Sequence, residues 1–215
     1  MKPAARHLRR GLLLLALVLV ALQASFALRI AAMRVIDPQS TTFQRSEARR
    51  LLGETGSLPW SQEWVPAERI SVHLKRAVIA SEDADFVNHR GVDWEALEKA
   101  WDKNQRAEAV AERRNARSPA TARPAVPKVV GGSTISQQLA KNLFLSGERT
   151  VLRKAQEFVL TFMLEALLSK QRILAIYLNN VEWGEGLFGA QAAARHYFRV
   201  DAAQLGPGQA ARLAT

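Results

Sequence analysis

The chain has 215 residues, of which 48% are hydrophobic and 23% charged, and its formal net charge is +10. This length is enough for one domain with a hydrophobic core and an appendage. Because the sequence has no cysteine, disulfides, thiolate zinc sites and cysteine nucleophiles are excluded.

The positive charge is concentrated in two segments. Residues 1–34 carry six basic side chains and no acidic one, and residues 105–128 carry six basic against two acidic ones. The remainder is close to neutral. No basic–aromatic stripe or nucleic-acid-binding motif accompanies the charge, so we expect a membrane surface as partner and no nucleic acid.

Residues 11–28 are apolar except for Gln23 and Ser25. Because a membrane-spanning helix needs roughly 20 such residues, this run predicts a single-pass anchor. The basic residues are more numerous before the run, which predicts that residues 1–10 are a cytoplasmic tail and that the rest lies outside. A cleaved signal peptide is the alternative, but the run exceeds the usual apolar core of about 7–15 residues.

We predict a juxtamembrane connector over residues 29–64, with a short helix around Gln44–Leu52, and one folded domain over residues 65–215. Residues 105–128 are rich in Ala, Arg and Pro and predict a mobile loop. The pattern from Pro207 onward is typical of a starting helix, so we expect the domain to be truncated at its C-terminal end.

An acidic and aromatic stretch, Glu82–Gly91, reads E-D-A-D-F-V-N-H-R-G. Apolar residues with helical spacing over 74–81 place Glu82 near the end of an amphipathic helix. The helix dipole and an apolar wall such as Phe86 would both disfavour the ionised carboxylate, which suits general acid–base chemistry. Alone, the stretch is more simply explained as a solvated acidic helix end.

A glycine-rich turn, Gly131–Gln138, reads G-G-S-T-I-S-Q-Q. Thr134 and Gln137 have the spacing of a capping box, so a helix is predicted to start there. Such a turn can bind an anion through free backbone N–H groups. An ordinary capped helix start explains the pattern equally well.

The strongest predicted helix spans Val151–Ser169 and is followed by helices over Lys170–Asn179 and Ala190–Phe198. Its predicted buried face comprises Leu152, Ala155, Phe158, Val159, Phe162, Met163, Ala166 and Leu167. The opposite face carries Arg153, Glu157, Thr161 and Glu165, for which a surface ion pair is the simplest interpretation. Nearby basic residues favour a polyanionic ligand such as a phosphate ester: Lys141, Arg149, Arg153 and Lys154.

Four motifs stand in one order along the chain: E-D-A-D-F-V-N-H-R-G, G-G-S-T-I-S-Q-Q-L-A-K-N, R-K-A-Q-E and K-Q-R-I-L-A-I-Y-L-N. Together they resemble the peptidoglycan glycosyltransferases of family 51, over roughly residues 65–200. The stretch W-G-E-G-L-F-G-A-Q-A-A-A-R-H-Y-F is similar to the monofunctional biosynthetic branch, and no Ser-x-x-Lys transpeptidase signature occurs. The resemblance implies a mainly α, lysozyme-like glycosyltransferase domain, preceded here by an N-terminal transmembrane helix.

The resemblance also implies the reaction and the site. The growing lipid-linked glycan is the donor, and it passes to the 4-hydroxyl of lipid II with inversion, releasing undecaprenyl pyrophosphate. Glu82 matches the general base and Glu157 the second acid, which orients the acceptor or its environment. Lys141 and Arg149 match pyrophosphate-binding positions, with Arg153 and Lys154 nearby. Seven residues match cleft-lining positions: Asp83, Phe86, His89, Ser133, Thr134, Gln137 and Gln138.

The sequence departs from the family pattern at a few points. Ser136 replaces a common Thr, Gln156 stands where a basic residue is frequent, and segment 105–128 is longer than usual. The resemblance leaves open whether a divalent metal, Mg²⁺ or Mn²⁺, assists at the pyrophosphate, and no cluster in the sequence has the spacing of metal ligands. The implied partners are lipid II, the nascent glycan strand, the membrane and cell-wall synthesis proteins. The implied location is the bacterial inner (cytoplasmic) membrane, with the catalytic domain on its periplasmic side.

Two other functions are weighed against polymerisation. A lysozyme-like muramidase or lytic transglycosylase shares the fold but cleaves the polymer, and it needs no basic cluster for a pyrophosphate. A non-catalytic wall-binding scaffold is disfavoured by the presence of both acids, Glu82 and Glu157. Conversion of lipid II separates the three hypotheses.

Overall fold

A computed structural model of the protein describes residues 3–117, 124–127, 129–145, 147 and 150–214, with side chains from residue 6 onward. The described residues form a mainly α fold with one small sheet. Its helices are α1 (Pro3–Ala32), α2 (Thr42–Thr55), α3 (Val72–Glu82), α4 (Trp94–Arg117), α5 (Ile135–Phe144), α6 (Val151–Leu167), α7 (Lys170–Asn180), α8 (Ala190–Phe198) and α9 (Pro207–Leu213). Its strands are β1 (Ser61–Gln62), β2 (Glu182–Gly184) and β3 (Leu187–Phe188).

Helix α1 is longer than the predicted anchor. Within its segment Arg6–Ala32, a stretch of 18 residues has a mean hydropathy of 2.5, so the helix is long and apolar enough to cross a membrane. Near its C-terminal end the helix joins the domain, because Ile30 is fully buried and Met33 is 8% exposed. Gln23 and Gln156 exchange two side-chain hydrogen bonds of 2.9 and 3.0 Å, which link α1 to α6. Gln156, one of the departures from the family pattern, therefore contacts α1.

The segment predicted as a connector packs onto the domain. The predicted short helix is present as α2, and a capping box between Thr41 and Gln44 starts it. Thr42 Oγ1 donates to the carbonyl of Leu143 at the end of α5, at 2.9 Å. Leu51 on α2 is fully buried. The segment therefore packs against the helical core through a few of its residues, including Ile30, Thr42 and Leu51.

The centre of the fold is α7, in which every residue from Ile173 to Asn180 is buried. A helix that is hydrophobic nearly all round can only sit inside a protein or a membrane. The small sheet has the strand order β1-β3-β2, with β1 parallel and β2 antiparallel to β3. Strand β2 follows α7 directly, so its pairing with β3 fixes where the chain leaves the core.

The prediction of a mobile loop over 105–128 is wrong for its first half. Helix α4 runs from Trp94 to Arg117, so residues 105–117 of the predicted loop are helical. Ala, Glu, Arg and Gln, which dominate this stretch, are strong helix formers even where no large apolar residue is available. The Asn104 side chain pairs with both backbone polar groups of Val130, at 3.0 and 2.8 Å. Residues 118–123 and 128 of the predicted loop lie outside the described residues.

The predicted buried face of α6 is also wrong. The residues that α6 buries are Glu157, Leu160, Thr161 and Leu164. All eight residues of the predicted set are exposed or half-buried, with Leu152 at 84%, Val159 at 40% and Phe162 at 48% exposure. Helix α6 carries two apolar faces, and hydrophobic periodicity alone does not tell which of them meets the core.

Candidate active site

Glu82 is the last residue of α3, as the sequence predicts, and its side chain is exposed. Gln138 on α5 donates from Nε2 to Glu82 Oε2 at 2.8 Å. Glu82 borders a cavity of about 200 Å³. The cavity is lined by Val78, Glu82, Tyr177, Val181, Glu182, Trp183, Leu213 and Ala214. A carboxylate that is held on one oxygen and open to a cavity can accept a proton from a bound hydroxyl.

Asp83, the neighbour of Glu82, points into the protein and is 7% exposed. Its carboxylate accepts hydrogen bonds from Ile135 N at 2.9 Å and from His89 Nε2 at 2.8 Å. Because Gly91 N donates to His89 Nδ1 at 3.0 Å, the ring proton lies on Nε2. Asp83 therefore ties the end of α3 to the start of α5, and its role here is to fix the backbone that carries Glu82.

A second set of contacts ties the glycine-rich turn to α6. Thr134 Oγ1 donates to the carbonyl of Gly91 at 2.6 Å, and the capping box with Gln137 predicted from the sequence is present. Ser136 donates to the Glu165 carboxylate, which also pairs with Lys170 at 2.8 Å. The Lys170 ammonium lies 4.5 Å from the centre of the Phe86 ring. These polar contacts hold α3, α5 and α6 in one arrangement.

The residues predicted to line the cleft separate into two groups. Asp83, Phe86, Thr134 and Gln137 are buried, at 7%, 1%, 3% and 1% exposure, and the His89 side chain is 7% exposed. None of these five side chains lines the cavity beside Glu82. Ser133 is exposed and Gln138 half-buried, so these two remain available to a substrate.

The predicted basic cluster surrounds a buried acid. Glu157 is 3% exposed, and Arg153 Nη1 lies 3.0 Å from its Oε2. Lys154 forms a second ion pair with the same carboxylate. Lys141 is exposed on α5, three residues after Gln138, so the two share a face of that helix. Arg149, the remaining predicted cation, lies outside the described residues.

Reasoning from the sequence missed the residues that border the cavity from α7 and β2. Tyr177 is 3% exposed, and burial, reinforced by the charges of Glu82 and Asp83, raises the pKa of its phenol. Burial also raises the pKa of Glu182. The only signal for Tyr177 was a hydroxyl within the otherwise apolar run I-L-A-I-Y-L, which indicates a buried donor that needs a partner. Within the described residues, no group of three or more His, Cys, Asp or Glu side chains could hold a metal.

Replacing Gly91 by alanine is expected to lower the free energy of unfolding by about 2 kcal/mol. Gly91 has φ +97°, and a Cβ there would lie 2.8 Å from Thr161 Cγ2 and 3.0 Å from Glu165 Cγ. Thermal unfolding of the detergent-solubilised protein measures the loss. The control is Gly53→Ala inside α2, where a Cβ meets nothing within 4 Å and a helix-favouring residue should stabilise. Equal melting temperatures for the two variants would contradict the strain at Gly91.

Comparison with known proteins adds an independent finding. Residues 49–215 match the family described as "Transglycosylase". The chain is 54% identical over 196 residues to a biosynthetic peptidoglycan transglycosylase of Cupriavidus pinatubonensis, covering 91% of this chain and 71% of that one. The protein of the same name from Ralstonia nicotianae is 54% identical, over 91% of this chain and 76% of its own. That of Bordetella pertussis is 47% identical over 219 residues, 99% of this chain and 85% of its own.

Proposed function

This chain belongs to the transglycosylase family, and from that premise we propose that it polymerises the glycan strands of peptidoglycan from lipid II. It is a peptidoglycan glycosyltransferase with a mainly α, lysozyme-like domain. The observation that carries the proposal is the exposed Glu82 carboxylate, held by Gln138 beside a cavity, with Lys141 one turn further along the same face of α5. One face of the molecule thus offers both a base and a cation.

In the proposed reaction, Glu82 takes the proton from the 4-hydroxyl of lipid II. The hydroxyl oxygen attacks the anomeric carbon of the donor strand and forms a β-1,4 bond with inversion. The bond from that carbon to the pyrophosphate oxygen breaks, and undecaprenyl pyrophosphate leaves with the electron pair. Cations near the leaving group stabilise the negative charge that develops there. Lys141 and Arg149 are proposed for this role, with Arg153 and Lys154 beside them.

Glu157 is proposed to act on the environment of the substrate. Its carboxylate is almost completely buried and accepts from both Arg153 and Lys154. A buried acid between two cations fixes their positions and offsets the cost of bringing them together. We therefore assign Glu157 the task of orienting these two side chains toward the pyrophosphate.

The described residues offer no cluster of three or more His, Cys, Asp or Glu side chains for a divalent metal. Magnesium is usually held by one or two carboxylates together with substrate phosphates. Mg²⁺ or Mn²⁺ at the pyrophosphate would then depend mainly on oxygen atoms of the substrate. No step of the proposed reaction passes through a metal.

We propose that the site works at the face of the inner membrane, on the periplasmic side. Support comes from α1, which fits a single-pass anchor, and from the exposed apolar face of α6. That face consists of Val151, Leu152, Ala155, Val159, Phe162 and Ala166. It lies on the helix that α1 contacts through Gln23 and Gln156. An apolar surface that continues a membrane span is suited to the lipid in which lipid II resides.

The test is incubation of the full chain, in detergent micelles, with labelled lipid II. Long glycan strands together with released undecaprenyl pyrophosphate are expected. Shortening of preformed glycan without use of lipid II would instead support a muramidase or lytic transglycosylase. Retention of lipid II without conversion would support a wall-binding scaffold. Each of these two results contradicts polymerisation.

Replacing Lys141 by alanine is expected to lower kcat/KM for the lipid-linked donor about tenfold, the usual effect of losing one hydrogen bond to a charged group. Lys141 is exposed, so the change should leave the fold intact. The matched control is Lys99→Ala, which removes an exposed lysine on α4 that pairs with Glu95. Unchanged donor kinetics for Lys141→Ala, or an equal loss for Lys99→Ala, would remove the pyrophosphate assignment.

A further inference from the structure

Three side chains from three helices form a hydrogen-bonded chain that ends at Glu82. Tyr177 on α7 donates from its hydroxyl to Gln138 Oε1 at 3.0 Å. Gln138 on α5 donates from Nε2 to Glu82 Oε2 at 2.8 Å and approaches the carbonyl of Ser133 at 3.5 Å. Burial increases along this chain, because Glu82 is exposed, Gln138 half-buried and Tyr177 only 3% exposed.

The chemistry of the two ends fixes the direction of the bonds. An ionised carboxylate can only accept hydrogen bonds, so it requires the amide nitrogen of Gln138 on its side. The amide oxygen then faces Tyr177, whose hydroxyl must donate to it. If the amide turned over, its oxygen would face the carboxylate and two acceptors would meet. The phenol stays a donor at every working pH, because burial raises its pKa.

We propose that Tyr177 is a positioning residue for Glu82. Its hydroxyl fixes the orientation of the Gln138 amide, and the amide nitrogen in turn holds Oε2 of the Glu82 carboxylate. Oε1 is then the oxygen left for the acceptor hydroxyl. An exposed glutamate otherwise samples several rotamers, and holding a catalytic base in its reactive position is a recognised source of rate enhancement. The proposal rests on the proposed function, since it concerns the base of that reaction.

The test is the kinetics of Tyr177→Phe in the lipid II assay. We expect kcat to fall about tenfold, because the variant loses one hydrogen bond that supports the transition state. KM should stay at the parental value. The melting temperature should change little, because the ring that fills the core is kept. The matched control is Tyr197→Phe, which removes the only other tyrosine hydroxyl, a donor to the Trp183 carbonyl at 2.9 Å.

A double-mutant cycle separates positioning from general packing. If Tyr177 acts through Gln138, then Tyr177→Phe should lower kcat in the parental protein and have no further effect in a Gln138→Ala protein. An equal loss in both backgrounds would overturn the proposal. So would a parental kcat for Tyr177→Phe, or the same loss for Tyr197→Phe.

The outcomes also distinguish the two levels of inference. A parental protein that does not convert lipid II would overturn the proposed function and this proposal together. A parental protein that polymerises, with Tyr177→Phe equally active, would overturn the positioning role alone. If Tyr177→Phe melts far below the parent, Gln138→Glu provides the second variant. This variant replaces the amide nitrogen that donates to Glu82 by a carboxylate oxygen. A parental kcat for Gln138→Glu would therefore contradict the proposal.

Discussion

Replacing Glu82 by glutamine is expected to lower polymerisation by on the order of a thousandfold, within the range that general acid–base catalysis contributes. The amide has nearly the same size and can still accept from Gln138, so the local structure should persist. What is lost is the ability to take a proton from the acceptor hydroxyl. The rate of glycan formation from lipid II, measured beside lipid II binding, checks this, and binding should remain near the parental value.

The chain offers a matched control three residues further on. Asp85 lies in the same motif, is exposed, and hydrogen-bonds through its side chain to Asn88. Asp85→Asn removes a negative charge from the same surface without removing the proposed base, so its activity should stay close to the parental rate. Polymerisation by Glu82→Gln at the rate of Asp85→Asn would show that Glu82 is not the base.

Replacing Asp83 by alanine is expected to have the largest effect on stability, a loss of about 3 kcal/mol in the free energy of unfolding. The change would leave two buried donors, Ile135 N and His89 Nε2, without their acceptor. For a domain of this size, such a loss lowers the melting temperature by roughly 6–12 °C. Thermal unfolding in detergent measures the shift.

Asp85→Ala is the control for this variant, because it removes an exposed carboxylate from the same loop. Its melting temperature should match that of the parent within the range typical of surface substitutions. A protein with Asp83→Ala that melts as the parent does, yet has lost activity, would mean that Asp83 acts on substrate. That result would contradict the structural role assigned to it.

Glu82 and Asp83 show how far the sequence could predict the site. Two adjacent acids at the end of a helix are equivalent in pattern, and the resemblance to a family separated them into a base and a cleft residue. The structure exposes the first and buries the second against His89 and Ile135. The direction in which a side chain points at a helix end depends on the elements packed around it. A local sequence pattern contains no information about those elements.

Tyr177 could not be found from the sequence as a neighbour of Glu82. The sequence predicts the helix over Lys170–Asn179 that carries Tyr177, and this helix is present as α7. Its partner Gln138 is 39 residues away along the chain. The hydrogen bond exists only because α3, α5 and α7 pack together, so their relative placement had to be known.

The exposed face of α6 illustrates a different limit. Its apolar stripe was predicted with the right period but assigned to the core. In the structure the core takes Leu160 and Leu164, while the predicted stripe is exposed or half-buried and only its members Met163 and Leu167 pack against the edge of the core. Periodicity measures how apolar residues are spaced, and it does not distinguish a protein interior from a lipid surface.

By itself the sequence determined the apolar run long enough to cross a membrane, the helical class, the capped helix start at Thr134 and the order of the motifs. All of these depend on residues close together in the chain, where hydrophobic length, spacing and capping act locally. Only the tertiary structure decided which acids are exposed, which face of α6 is buried and which hydroxyl supports Glu82. Those features arise from contacts between distant segments, and their free energy is defined only once the helices have packed.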